Sequence, residues 1–263
     1  TFSPNPYTII NKKETSDYHI ISKNEKYEVF DSLGVDILLE IQFDLEVAKI
    51  SAIDFLGDFI ISPFNPRDII IGYDHHFGFK REGDIDFLIQ NRDIYGYNLC
   101  VIDPFKKNNV IVSSSMIRKL IENNDIVSAN SFLGRNYKIR GNIVEGKSLG
   151  RLISFPTANL SIPSILQIIP ANGVYFIKTY IDSDKYIGMC NIGHCPTISD
   201  REDITVEVHL FDYDKFDLYN QVIEIEFVDY IRPEIKFGSK EELKNQLIKD
   251  KEYCNWYCAK KSN

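Results

Sequence analysis

The chain contains no apolar run approaching the ~20 residues that a membrane-spanning helix requires, so no span is expected. It has no basic surplus either: 30 Lys and Arg stand against 38 Asp and Glu in 263 residues, a formal net charge of −8. The deficit runs through both halves, with 14 basic against 20 acidic residues up to position 135 and 16 against 18 after it. Nucleic acid and anionic membrane surfaces favour the opposite balance. Neither is an expected partner, although a local basic patch around one nucleotide is compatible with these numbers. The five cysteines are an odd count with no Cys-x-x-Cys pair. Cys190 and Cys195 flank a glycine-containing segment and Cys254 and Cys258 would share a helical face, yet free thiols in a reducing compartment are the simpler reading. No basic-then-apolar leader is read at the start, and a soluble, cytoplasmic protein is the expectation.

What is present is enough apolar sequence, 44%, to bury a proper core, at a length that suits two domains. Up to residue 134 short apolar runs alternate with amphipathic segments. Helical spacing through Tyr27, Phe30 and Leu33 stops at Gly34, and a second helix starts at a Ser51 cap and buries Ile53, Leu56 and Phe59 or Ile60. Asp68–Gly72 and Asn98–Ile102 read as fully buried parallel strands. Strands and helices in alternation predict an α/β domain with a parallel, Rossmann-like sheet over residues 1–134. A helix Asp125–Leu133 closes it without a flexible linker. From Tyr137 the period changes to two, through Val174–Tyr180, Ile204–Leu210 and Val222–Phe227, which predicts a small closed antiparallel β-barrel over residues 135–263. Ser239 caps a last helix, with Glu241 and Glu242 in its first turn.

Three groups of residues carry candidate chemistry. The stretch Gly141–Leu160 places Gly146, Gly150 and Arg151 ahead of Pro156-Thr157-Ala158-Asn159. Glycines and an arginine before an extended segment suit a phosphate-covering loop, and Thr157 and Asn159, two apart, can offer oxygens from one strand face to a hard cation. The same tetrad also occurs in ordinary turns. The loop after Ile71 holds Asp74, His75, His76 and Phe77 at a strand end, where ligands of such sheets bind; a metal site or plain surface histidines both fit. Ser113-Ser114-Ser115-Met116-Ile117-Arg118 opens a helix, whose free N–H groups attract anions and to which Arg118 adds a charge; a serine cap with a solvated arginine fits as well. In the strand Thr205–Leu210, Glu207 and His209 share one face and Val206, Val208 and Leu210 the other.

Taken in order, Pro156-Thr-Ala-Asn159, Asn172-Gly-Val-Tyr175, Asn191-Ile-Gly193-His-Cys-Pro196-Thr197, Val206-Glu-Val-His-Leu210 and Arg232-Pro-Glu-Ile-Lys-Phe237 resemble the riboflavin kinase module of the bacterial bifunctional riboflavin kinase and FMN adenylyltransferase, or FAD synthetase. The resemblance covers nearly the whole chain. It implies that Glu207 is the base toward the riboflavin 5′-hydroxyl, that Thr157 and Asn159 hold Mg2+ with ATP, and that Gly146, Gly150 and Arg151 cover its phosphates. Asn191–Gly193 with Pro196 and Thr197 are read as a loop lining the nucleotide or flavin pocket, with an ordinary turn as the other reading, and Arg232 as a residue near the flavin or a rim charge. In the adenylyltransferase part Asp74, Ser113, Ser114 and Arg118 would contact the nucleotide and Phe77 the flavin.

The departures from the family pattern are Ser154 where a glycine is commoner, Ser115 for threonine, and Thr1-Phe-Ser3-Pro4-Asn5-Pro6 where the family has Thr-Phe-Asp-Pro-His-Pro. The family's His-x-Gly-His motif lies upstream of that segment, and none of the five histidines stands in such an arrangement. The expectation is therefore an N-terminally shortened bifunctional enzyme. It would make FMN from riboflavin and ATP, would make FAD in its full form, and would act as a monomer or weak homo-oligomer. The competing readings are a flavin-binding protein of the same fold without turnover, and an acidic scaffold domain.

Overall fold

The computed structural model describes residues 1–10, 19–144, 155–162, 167–195, 203–213 and 220–261. The chain divides into two compact units, Thr1–Thr15 with Tyr27–Val112 and Ser16–Lys26 with Ser113–Asn263. The change of periodicity at residues 134 and 135 falls later than this division, because the two helices preceding it pack with the second unit.

The first unit is an α/β arrangement. β1 (Phe2–Ser3) pairs in parallel with β2 (Ile41–Gln42), and β3 (Asp68–Gly72) with β4 (Asn98–Ile102), in register from Asp68 opposite Asn98 to Gly72 opposite Ile102. β5 (Lys106–Lys107) and β6 (Val110–Ile111) form a small hairpin. Of the helices, α1 spans Pro6–Ile10, and α2 (Lys23–Ser32) begins in the second unit and continues from Tyr27 in the first. α3 (Ala52–Asp54) runs through a π-helical stretch, Phe55–Ile61, into α4 (Ser62–Phe64). α5 (Ile85–Tyr95) connects β3 to β4; Asp84 caps it by accepting the Phe87 N–H at 2.9 Å, and Gly96 ends it at φ 76°. Leu56, Leu88 and Tyr97 form the core, with Ile69, Ile71, Phe77 and Leu99 packed on it.

Three expectations change here. The β3–β4 pair is parallel, but it is not buried on both faces: Ile69, Ile71 and Leu99 meet the core, whereas Ile70 is 66% and Ile102 52% exposed, since no described element lies over that side. Leu56 is buried as expected in the helix after Ser51, while Ile53 in its first turn stays outside the buried stripe. In α2 the one buried residue is Glu25, and Leu33 is exposed beyond its end.

In the second unit α6 (Ser114–Glu122) and α7 (Ile126–Leu133) begin at Ser113 and Asp125, whose side chains accept the N–H groups of Met116 at 3.3 Å and Ser128 at 3.1 Å. Six strands follow: β7 (Tyr137–Val144), β8 (Ala158–Ser161), β9 (Gly173–Ile181), β10 (Asp184–Cys195), β11 (Asp203–Leu210) and β12 (Val222–Arg232). They close an antiparallel barrel in the order β10, β11, β8, β7, β12, β9, which leaves no sheet edge unpaired. Asp182 and Ser183, at φ 52° and 71°, turn β9 into β10 as a two-residue hairpin of the type that matches strand twist. The alternating residues fill the interior: Tyr175, Ile177, Cys190, Ile192, Val206, Val208, Ile225 and Phe227 are all 2% exposed or less, each contributing roughly 1.5–3 kcal/mol where large and fully buried.

A second core lies outside the barrel wall. α8 (Lys240–Lys261), capped by Ser239, sets Leu247, Cys254, Tyr257 and Cys258 against Phe155, Phe176, Met189, Phe211 and Val228. The helical spacing of these residues is what makes one stripe. Trp256 falls off that stripe and is exposed.

Candidate functional site

The outer face of the barrel carries the candidate chemistry, and strand register assembles it. On β11, Val206, Val208 and Leu210 turn inward and are buried, which leaves half-buried Glu207 and His209 on the outer face. Register sets Glu207 opposite Asn159 of β8 on one side and opposite Asn191 of β10 on the other. Residues directly opposite in an antiparallel pair share a face, with Cβ atoms about 4.5–5.5 Å apart. A carboxylate between two carboxamides is therefore fixed by backbone pairing and not by side-chain preference.

The segment entering β8 is held from the same strand. His209 Nδ1 lies 2.7 Å from the Pro156 carbonyl oxygen; a carbonyl can only accept, so Nδ1 carries the proton. The His209 ring also meets Phe155 at 5.0 Å and Phe211 at 5.5 Å between centroids. Burial holds this histidine below its ordinary pKa, aided by Lys251 and opposed by the Pro156 bond and Asp212. Thr157 thus sits between Pro156, bonded to His209, and Ala158, paired with Val208.

Asn191 and Gly193 belong to β10 and not to a loop, because they pair with Glu207 and Thr205 in an unbroken ladder; Pro196 and Thr197 lie outside the described residues. Asn191 Nδ2 donates to Glu234 Oε1 at 3.2 Å. Gly193 makes room for that carboxylate, since a Cβ there would stand 2.4 Å from Glu234 Oε1. Glu234 is a second acidic group beside the row, unassigned on sequence although it follows Arg232 and Pro233 directly. Arg232 is occupied elsewhere: its Nε and Nη2 donate to Asp250 at 2.8–3.1 Å, Nη1 donates to the Pro233 carbonyl, and its guanidinium stands 5.9 Å from the Phe237 ring centroid. That ties β12 to α8.

Gly146, Gly150 and Arg151 lie outside the described residues. Ser113 and Ser114 are exposed at the start of α6 and Arg118 is half-buried one turn on. Asp74 and Phe77 belong to the first unit. Asp74 is exposed, and Phe77 packs within 5.7–5.8 Å of Phe55 and Phe87 and against the core of the first unit. The loop they share closes tightly: Phe77 pairs with Gly83, and Gly78, at φ +74°, lies so close to Ala52 that a Cβ would come within 2.6 Å of its backbone. Burial lowers the His75 pKa, more than Asp74 raises it. No cluster of three or more potential metal ligands occurs among the described residues, and no helix there is long and apolar enough to cross a membrane.

Two family models match the chain, riboflavin kinase over residues 133–258 and FAD synthetase over residues 1–116. The bifunctional riboflavin kinase/FMN adenylyltransferase of Buchnera aphidicola is 37% identical over 95% of this chain and 79% of its own length. The chain belongs to that family. Family members from Bacillus subtilis and Escherichia coli are each 32% identical, over 96% and 95% of this chain and 79% and 78% of theirs. A solved structure described as a macrolide-efflux protein from Streptococcus pneumoniae aligns at a TM-score of 0.89 with 28% identity, covering 97% of this chain and 82% of that one; the efflux name is that protein's. Family membership makes this an enzyme of flavin cofactor biosynthesis with a kinase and a nucleotidyltransferase part. The kinase match encloses the whole Asn159–Glu207–Asn191 row.

Proposed function

We propose that the outer barrel face around Glu207 and Asn159 is where the γ-phosphoryl group of ATP passes to the 5′-hydroxyl of riboflavin. The register of β8 against β11 is the observation that carries this reading, because it sets the Glu207 carboxylate directly opposite Asn159. An alcohol is scarcely ionised at neutral pH, so Glu207 acts by orienting the hydroxyl and taking its proton as the new P–O bond forms. Phosphoryl transfer otherwise rests on positioning and charge neutralisation. The available donors fit magnesium: a Thr157 hydroxyl and an Asn159 carbonyl oxygen are hard, neutral ligands, and magnesium usually takes few protein groups alongside substrate phosphates. When bound it would neutralise charge on the phosphate oxygens; the residues of the chain hold and align. Gly146, Gly150 and Arg151 cover the phosphates, and Arg232 meets the flavin through its guanidinium face.

For the second reaction, the adenylylation of FMN by ATP, the assigned nucleotide contacts are Asp74 in the first unit and Ser113, Ser114 and Arg118 at the opening turn of α6 in the second, where free N–H groups suit phosphate, and the assigned flavin contact is Phe77. Residues 1–134 and 135–263 act as the two domains, in a cytoplasmic monomer or weak homo-oligomer with ATP, riboflavin and FMN as its partners. Incubation with riboflavin and MgATP, followed by chromatographic separation of flavins, should show FMN. Glu207→Gln should lower its rate by about 100-fold or more while riboflavin fluorescence quenching persists. No FMN from the unaltered protein, or an unchanged rate in the variant, would remove the assignment.

A further inference from the structure

His209 is one alternation along β11 from Glu207, on the same face, and makes a side-chain bond from that strand to the segment leading into β8. The bond ends on Pro156, immediately before Thr157. Proline lacks an N–H and fixes its own φ, so its carbonyl is the one backbone polar group by which this residue can be anchored. Residues 155–157 carry no ladder pairing of their own; pairing starts at Ala158. The ring is in turn fixed, between Phe155 at 5.0 Å and Phe211 at 5.5 Å, and both of these belong to the core beneath α8. We infer that His209 is a positioning residue for the kinase reaction, whose Nδ1–H holds the Pro156 carbonyl so that the Thr157 hydroxyl and the Asn159 carboxamide present together to the metal-bound nucleotide. This rests on the reading of the barrel face given above and adds a residue to it.

The geometry makes a chemically narrow demand: a donor at the Nδ1 position and none at Nε2. Asparagine places its amide nitrogen where Nδ1 stands, and glutamine extends its own toward Nε2. His209→Asn should therefore retain the anchor, whereas His209→Gln and His209→Phe lose it. FMN formation by the full chain is measured against MgATP at saturating riboflavin, against riboflavin at saturating MgATP, and against free Mg2+ at fixed ATP. The expected result for His209→Gln and His209→Phe is a KM for MgATP raised about tenfold, as suits the loss of one hydrogen bond at a binding loop. Their Mg2+ requirement should rise too, while the KM for riboflavin stays within about twofold and His209→Asn within about threefold of the unaltered protein. Equal behaviour of the asparagine and glutamine variants would overturn the inference, as would a parallel rise of both KM values. The two polar variants keep the comparison available if the phenylalanine variant does not fold. Failure of the unaltered chain to make FMN would instead overturn the functional reading itself.

Discussion

Replacing Asp250 by alanine tests what holds α8 against the barrel. The carboxylate is 2% exposed and receives Arg232 Nε at 3.1 and 3.0 Å and Nη2 at 2.8 Å, together with Gln246 Nε2 at 2.8 Å. Arg232 is itself only 12% exposed, so Asp250→Ala strands a guanidinium where water cannot readily replace its partner. Breaking such a pair from one side costs about 3–5 kcal/mol, whereas replacing both members by apolar residues of similar size is often near neutral. At about 2–4 °C per kcal/mol for a unit of 150–250 residues, the melting temperature should fall on the order of 10 °C. Far-UV circular dichroism during a thermal ramp reads the midpoint, since α8 spans Lys240–Lys261 and contributes to the helical signal. The double variant Arg232→Leu/Asp250→Leu should recover most of the loss. A single variant within about 1 kcal/mol of the parent, or a double variant as unstable as the single, would refute the reasoning.

Other outcomes follow from the same packing. Glu25 is 5% exposed and pairs at 2.9 Å with Arg135, which is 36% exposed; Arg135→Ala should therefore cost more, about 2 kcal/mol near neutrality, than Glu25→Ala, whose stranded arginine can rehydrate. Burial already raises the Glu25 pKa and Arg135 opposes it. Without Arg135 the folded-state pKa rises further, so the deficit should be smallest below the ordinary carboxylate range and should grow as pH rises through the folded pKa, as denaturant titrations at several pH values would show. Gly188→Ala would drive a Cβ to 2.2 Å from the His209 carbonyl oxygen. Because backbone cannot yield as a side-chain end can, this should cost roughly 1–3 kcal/mol in denaturant unfolding and reduce FMN formation by disturbing the β10–β11 register. Gly193→Ala meets only the end of the Glu234 side chain and should leave the unfolding midpoint nearly unchanged. Thiol labelling at neutral pH should modify exposed Cys100 and spare Cys190 and Cys254, which are fully buried, with the Cys254 thiol pushed up to about 12; rapid labelling of either buried thiol in the native state would contradict the described core.

Local signals read well from the sequence. The caps at Ser51, Ser113 and Ser239 are in place, and the alternation of Val206, Val208 and Leu210 pointed to both the strand and the outward face of Glu207 and His209. Pairing between distant strands did not read. Asn159 and Glu207 are neighbours only because β8 and β11 pair across the barrel, and a one-residue slip would have parted them without changing either strand's pattern. Asn191-Ile-Gly193 looked like a loop because of its glycine and the proline that follows, yet Gly193 serves to admit Glu234. The Arg232–Asp250 pair did not read, because Asp250 stands on a helix whose packing angle no local pattern records. The isoleucines of β3 suggested burial on two faces where the structure covers one.

The account depends on Glu207 and Asn159 serving one reacting complex, and a double-mutant cycle on FMN formation tests this most directly. With both substrates saturating, Glu207→Gln, Asn159→Ala and the pair are compared by kcat, with riboflavin binding followed separately. Residues acting as a unit lose their effects non-additively, so the double variant should be little slower than the slower single variant, with a coupling of about 1 kcal/mol or more. Losses that simply multiply, or a Glu207→Gln variant as fast as the parent, would contradict it.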